Sequence, residues 1–267
     1  MNIIVFSVII LGAIGLFFSL VLAYLSSKLR VKQDPRVAKV IDLLPGLNCG
    51  ACGYSGCAAY AQAVVNKPGA FKKCLAAEDD ANKNIARIVG AQGSVAGNKK
   101  IAVCHCGADK GQKKASFNYQ GLASCRAAAL IGGNIDCGYG CLGFGDCADI
   151  CPVDAIIVKD FKVIVDIDSC IGCGRCVDIC PRNLFSLVLQ EESFIYNVSC
   201  SNKDKGAKVR KVCSRGCIAC GLCAKVDNSP YQVKDNLSII KGGSEAEEKN
   251  YQQGMQRCPT KCIDKIK

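Results

Sequence analysis

Residues 170–181 read Cys170-Ile171-Gly172-Cys173-Gly174-Arg175-Cys176-Val177-Asp178-Ile179-Cys180-Pro181. Two residues between each of the first three cysteines let three thiolates from one tight loop reach three corners of an iron–sulfur cube. The intervening glycines let backbone amides approach the sulfides. The fourth cysteine, expected to open a helix, is set to serve a neighbouring cluster rather than its own. A zinc ribbon would use separated C-x2-C pairs, not a triple closed by Cys-Pro.

A partner run stands just upstream, Cys137-x3-Cys141-x5-Cys147-x3-Cys151-Pro152. It leads into Ala155–Val158, KDFK and Val163–Asp166, which read as a β-hairpin before Cys170. The two runs together have the layout of a bacterial two-cluster ferredoxin. Exchange of the Cys-Pro residues gives two ligand sets. One is Cys151, Cys170, Cys173 and Cys176. The other is Cys137, Cys141, Cys147 and Cys180, with Cys137 standing in because Phe144 occupies the usual middle position. A three-iron cluster is the alternative for this second set.

Working outward, Cys217-x2-Cys220-x2-Cys223 repeats the triple, and Cys258-Pro259 offers the fourth ligand. Asp227 stands where a further cysteine would follow, and residues 224–257 contain none, so this copy is expected to keep one cluster. The rhythm of Cys125, Cys137, Cys141 and Cys147 recurs in Cys200, Cys213, Cys217 and Cys223. It reads as a duplicated two-cluster unit whose second copy has lost ligands. Nearer the N-terminus, Cys49-Gly-Ala-Cys52-Gly-Tyr-Ser-Gly-Cys57 and then Cys74 form a different four-cysteine pattern. Three of its ligands come from a glycine-rich loop and the fourth from beyond a helix over Cys57–Val65. A second helix is predicted over Glu78–Val89, stopped at Gly90. Cys104, Cys106, Cys125, Cys200 and Cys213 are either ligands of an extra cluster or buried thiols. His105 reads as a bystander, and Cys262 has no assigned role.

Composition agrees. The 267 residues hold 22 cysteines, one histidine and no tryptophan, which favours all-thiolate ligation. The formal charge of +11 invites a nucleic-acid reading. A four-iron cluster on four thiolates carries about −2, so four of them would cancel about eight charges. The loaded chain is then only mildly basic, and no nucleic-acid partner is expected. No G-x-G-x-x-G follows a strand, so no nucleotide site is expected on this chain.

Residues 3–25, IIVFSVIILGAIGLFFSLVLAYL, run without a charge for long enough to span a bilayer, and Lys28, Arg30 and Lys32 follow. Positive charge stays inside, so a retained anchor with the bulk of the chain in the cytoplasm is expected. A cleaved signal peptide would want a basic residue ahead of the apolar run and a better small-x-small site after it. Cytoplasmic thiols stay reduced, which favours metal ligation over disulfides.

The apolar helix, LPGLNCGACGYSGCAAYAQAV, YGCLGFGDCADICPVDAI and CIGCGRCVDICP together resemble the RnfB family, the B component of the Rnf complex, an ion-translocating ferredoxin:NAD oxidoreductase. The resemblance covers essentially the whole chain. It implies a four-iron site at Cys49, Cys52, Cys57 and Cys74 and a two-cluster ferredoxin over the 137–180 cysteines. It also implies soluble ferredoxin as electron donor, and membrane and peripheral subunits as partners. LAAED after Cys74 departs from the Pro-Gly-Gly turn common in that family.

The expected fold is α+β: a transmembrane anchor (1–30), a small α-rich four-cysteine module (31–91), a two-cluster ferredoxin module (101–190) and a degenerate ferredoxin module (191–267), with linker stretches over 31–35 and 91–100. The expected cofactors are 4Fe–4S clusters. Three come from the Cys49–Cys74, Cys137–Cys180 and Cys151–Cys176 sets, a fourth from Cys217–Cys258, and a fifth is left open.

Overall fold

The computed structural model describes residues 2–28, 34–91, 99–190, 194–241 and 246–266. Helix α1 (Asn2–Lys28) contains Ile4–Ser26, a stretch of mean hydropathy 2.8 with none of its surface buried against the rest of the chain. An apolar helix of that length finds its solvent in a bilayer. Lys28 closes it; Arg30 and Lys32, and most of the linkers expected at 31–35 and 91–100, lie outside the described residues.

A three-helix module follows. Helix α2 (Pro35–Asp42) starts on Asp34, whose carboxylate accepts the Arg36 N–H at 2.9 Å, with Pro35 in the first turn. Helices α3 (Cys57–Asn66) and α4 (Asp79–Val89) match the predicted pair, and Gly90 ends α4 in the left-handed conformation. Val37, Val40, Tyr60, Val64, Phe71, Ile85 and Val89 form the core.

The rest is a pair of related units. The first opens with β1 (Lys100–Cys104) and contains α5 (Cys125–Leu130), α6 (Asp146–Asp149), β2 (Ile156–Lys159), β3 (Lys162–Val165) and α7 (Arg175–Ile179). It closes with β4 (Phe185–Leu189), which pairs antiparallel with β1 so that Cys104 faces Phe185. The predicted hairpin is β2–β3, with Ile156 opposite Val165. The second unit runs β5 (Tyr196–Val198), α8 (Gly206–Val212), β6 (Tyr231–Lys234), β7 (Leu237–Ile240), α9 (Glu248–Gln256) and β8 (Ile263–Lys265). Its β5 and β8 pair as β1 and β4 do, and β6–β7 is the second hairpin. Both units are therefore ferredoxin-like, and a bridge between Lys113 and Cys213 joins them.

Two expectations need correction. Cys180 ends helix α7 rather than opening one: it is extended at φ −74° and ψ 110°. The ring of Pro181 disfavours a helical residue before it, so each Cys-Pro pair stops a helix. In addition, Lys100 is strand, not linker, and Lys99 donates to the Ile167 and Asp168 carbonyls at 3.0 Å.

Candidate iron–sulfur sites

Four small cavities of similar size are ringed by cysteines. All 22 cysteines are free thiols. Among the described residues no group of three Cys, His, Asp or Glu side chains could hold a single metal ion. The thiols ring space instead of converging on a point.

One cavity is lined by Cys151, Cys170, Cys173 and Cys176, the set read from the spacing. Its sulfurs meet backbone donors: Ala102 N–H reaches Cys170 Sγ at 3.4 Å and Ala155 N–H reaches Cys151 Sγ at 3.3 Å. Such bonds favour the thiolate. Gly172 makes the loop possible. Its φ is +64°, and a Cβ there would run into the Lys100 carbonyl.

A second cavity is lined by Cys125, Cys141, Cys147 and Cys180. Here Cys125, not Cys137, completes the set. Helix α5 places it: Asp146 accepts the N–H groups of Cys125 at 2.8 Å and Arg126 at 3.2 Å, and the Ser124 hydroxyl at 2.9 Å. Burial raises the Cys125 thiol, while the amides of Phe144, Asp146 and Gly145 oppose that rise. The sulfur thus sits against the loop whose side chain at 144 would otherwise supply the corner. Phe144 packs instead on Tyr119 and Phe161. Burial also pushes Cys141 up to about 11 and Cys147 up to about 12, so these thiols are neutral until something cationic takes them.

The third cavity collects Cys217, Cys220, Cys223 and Cys258 as expected, and adds Cys262. Cys262 follows Cys258-Pro-Thr-Lys as Ala155 follows Cys151-Pro-Val-Asp. Its sulfur lies 3.6 Å from Cys258 Sγ, and a proton kept on this buried thiol favours the thiolate forms of Cys217 and Cys258, lowering both. Cys220 is exposed. Among the described residues the second unit has no counterpart of the Cys151–Cys176 cavity. Tyr196 and Tyr231 stand at the strand positions that Ala102 and Ile156 hold beside that cavity, and with Tyr251 and Phe194 they fill the space with rings.

The fourth cavity is lined by Cys106, Cys137, Cys200 and Cys213. Cys137 therefore lies apart from the set it was read into. The repeat also shifts: Cys106 and Cys200, each two residues beyond an opening strand, correspond, and Cys125 has no counterpart. Cys104 lines none of the four cavities; burial keeps its thiol far above its ordinary range. His105 is held at both ring nitrogens, by Val198 O at 3.3 Å and Ser186 Oγ at 2.8 Å.

In the helical module, Cys49 and Cys52 lie on the loop before α3, Cys57 opens α3, and Cys74 follows it. Burial raises the Cys74 thiol, and Cys52 and Cys49 are close enough for their charges to raise it further. Buried Asn82 fixes Cys74, accepting its N–H at 2.8 Å and donating to its carbonyl at 3.0 Å. Asn48 accepts the Cys57 N–H at 2.8 Å. This module touches the first ferredoxin-like unit: Arg175 Nη2 donates to the Asn48 carbonyl at 2.9 Å, and Cys49 lies among the charges acting on Cys173.

Proteins of similar sequence occur in ion-translocating complexes. The B component of a proton-translocating ferredoxin:NAD(+) oxidoreductase complex from Clostridium ljungdahlii is 36% identical over 244 residues, 90% of this chain and 85% of the relative. The chain belongs to the B-component family of ion-translocating oxidoreductase complexes. A Na(+)-translocating counterpart from Acetobacterium woodii is 36% identical over 81% of this chain and 65% of its own length. The B component of an ion-translocating oxidoreductase complex from Methanosarcina acetivorans is 30% identical over 84% of each. The Fe-S cluster family model matches residues 44–76, and the 4Fe-4S binding domain model matches 163–186. The model for the 4Fe-4S single cluster domain of ferredoxin I matches 212–265, where the aromatic rings leave room for one cluster cavity. The chain is thus a single-pass, membrane-associated iron–sulfur subunit that works within a multi-subunit translocase rather than as a separate enzyme.

Proposed function

We propose that this subunit takes electrons from soluble ferredoxin and passes them to the membrane subunits of a ferredoxin:NAD oxidoreductase. In this reading 4Fe–4S clusters are held by Cys49, Cys52, Cys57 and Cys74; by Cys151, Cys170, Cys173 and Cys176; by Cys125, Cys141, Cys147 and Cys180; and by Cys217, Cys220, Cys223 and Cys258. Bound there, the clusters supply one-electron transfer at potentials set by burial and N–H···S bonds. The ferredoxin:NAD(+) oxidoreductase complexes of the Clostridium and Acetobacterium relatives support the donor and the partners. Lys28 at the end of α1 supports a cytoplasmic location for the soluble part.

The observation that carries this reading is the linear order of the sites. The helical module next to the anchor meets the Cys173 loop, the ferredoxin-like units follow, and exposed Cys220 lies in the last set. The anchor end suits delivery to membrane partners, and the Cys220 end suits a soluble donor. In that second unit Lys203, Lys205, Arg210 and Lys211 are exposed. Lys208 pairs with Asp204 at 3.0 Å, and Arg215 is not part of this patch, because it turns inward to pair with Asp264.

An acidic donor steered to such a patch reacts more slowly as salt screens the attraction. Reduction by ferredoxin is therefore expected to slow with ionic strength. Reversing Lys203, Lys205, Arg210 and Lys211 to glutamate should slow it at low salt without loss of iron. Rates that ignore both salt and charge reversal would remove the patch from the mechanism.

A further inference from the structure

The cavity between the two ferredoxin-like units is unexplained by the reading above. We propose that Cys106, Cys137, Cys200 and Cys213 hold a further 4Fe–4S cluster, two ligands from each unit, at the seam between them. A cluster there extends the electron relay and rests on that reading.

Repetition is the first support. Each unit contributes one cysteine two residues past its opening strand, Cys106 after β1 and Cys200 after β5. Each contributes a second four residues before its cluster motif, in Cys137-Gly-Tyr-Gly140-Cys141 and Cys213-Ser-Arg-Gly216-Cys217. The sulfurs are received alike: Cys141 N–H donates to Cys106 Sγ at 3.3 Å, and Cys217 N–H donates to Cys200 Sγ at 3.2 Å. The glycines match as well, since a Cβ at Gly140 would crowd Ile135 and Cys137, and one at Gly216 would crowd Val209. Four thiols placed by chance would not share strand offset, motif offset and donor.

Size and lining fit as well. This cavity is of the same size class as the three formed by cluster motifs, and four cysteines line it. Asn202, 2% exposed, donates through Nδ2 to Cys137 Sγ at 3.4 Å, so at least three of the four sulfurs have an N–H partner. These are the contacts that stabilise thiolates.

Charge points the same way. Lys113 lines the cavity at 8% exposure and donates to the Cys141 and Phe161 carbonyls at 3.1 and 2.7 Å. Among the described residues no carboxylate pairs with it. A buried ammonium is costly without a counter-charge; Lys113 acts on the Cys141 sulfur of the neighbouring site and also borders the seam, so anionic clusters on both sides supply one. Arg215 lines the same wall.

The site also has a place in the order of sites. Cys141 donates its N–H into this cavity while its own thiol lines the Cys125–Cys180 cavity. Cys217 does the same toward the Cys217–Cys258 cavity. The seam is one residue from a cluster motif on each side, so a cluster there joins two units that otherwise hold separate sites.

The test is iron and acid-labile sulfide on the full chain, purified anaerobically in detergent. Wild type should carry about twenty irons, five four-iron clusters. Cys137→Ala, Cys213→Ala and the double variant should each lose about four irons, because the two cysteines serve one cluster. Cys125→Ala with Cys213→Ala should lose about eight. If Cys137→Ala with Cys213→Ala loses about eight, or neither single variant loses any, the seam site is overturned. Should the variants fail to fold, alkylation of native wild type followed by peptide mapping decides. Protection of Cys106, Cys137, Cys200 and Cys213, with no disulfide among them, supports the site; alkylation or a disulfide refutes it. Wild type at about sixteen irons removes the seam cluster but leaves the relay, whereas wild type without iron removes both.

Discussion

The second residue after the first cysteine of each loop shows how surroundings decide what a shared conformation costs. Gly143, Gly172 and Ala219 all have positive φ, at 77°, 64° and 55°. Ala219 bears a Cβ in a region that costs an L-residue about 1–2 kcal/mol, partly offset because glycine loosens the unfolded chain. Ala219→Gly is therefore expected to be neutral or stabilising by up to about 1 kcal/mol. Gly172→Ala should cost about 2–4 kcal/mol, because the new methyl also meets the Lys100 carbonyl. Denaturant melts of the two variants compare them directly; equal losses would mean the loops are not equivalent. Asp146 is a second decisive residue, since its carboxylate accepts from three groups at the first turn of α5. Asp146→Ala should lower stability by about 1–2 kcal/mol and loosen iron held by Cys125. Unchanged stability and iron would show that Cys125 is placed by other contacts.

Elements carry the exchange between runs. Helices α6 and α7 each end at a Cys-Pro pair, and each pair delivers its cysteine to the other run's cavity: Cys151 to the Cys170 loop, Cys180 to Cys141 and Cys147. Cys180→Ala is expected to damage the Cys141–Cys147 cluster, and Cys151→Ala the Cys170–Cys176 cluster, as separate spectroscopic losses. Damage to each mutation's own run would contradict the crossed arrangement. Much of this was legible beforehand, because the hairpin, α3 and α4 are local patterns of spacing and period. The position of Cys125 was not. Its partners begin sixteen residues downstream, and the cap from Asp146 brings it back to them. The rhythm of cysteines misled for a related reason: it aligned Cys125 with Cys200 by count, whereas strands β1 and β5 align Cys106 with Cys200. The displaced Cys137 then found partners on the other unit, a pairing that no local spacing encodes.

At the scale of the whole molecule, one apolar helix carries a soluble body whose first module meets the first ferredoxin-like unit through Arg175 and Asn48. A reporter fused after Lys267 should be active if it requires the cytoplasm and silent if it requires export, because a basic residue at the helix end, Lys28, favours the inner side. The opposite result would reverse the orientation and reopen disulfide chemistry for the free cysteines. Five residues separate Lys28 from Asp34, a stretch that even fully drawn out spans no more than about 22 Å. The helical module is therefore leashed to the bilayer surface whatever its partners do. A leash that short raises the local concentration of the module near embedded subunits to about the millimolar range. Contacts between them can then be individually weak, and even fleeting, without the module drifting away between encounters.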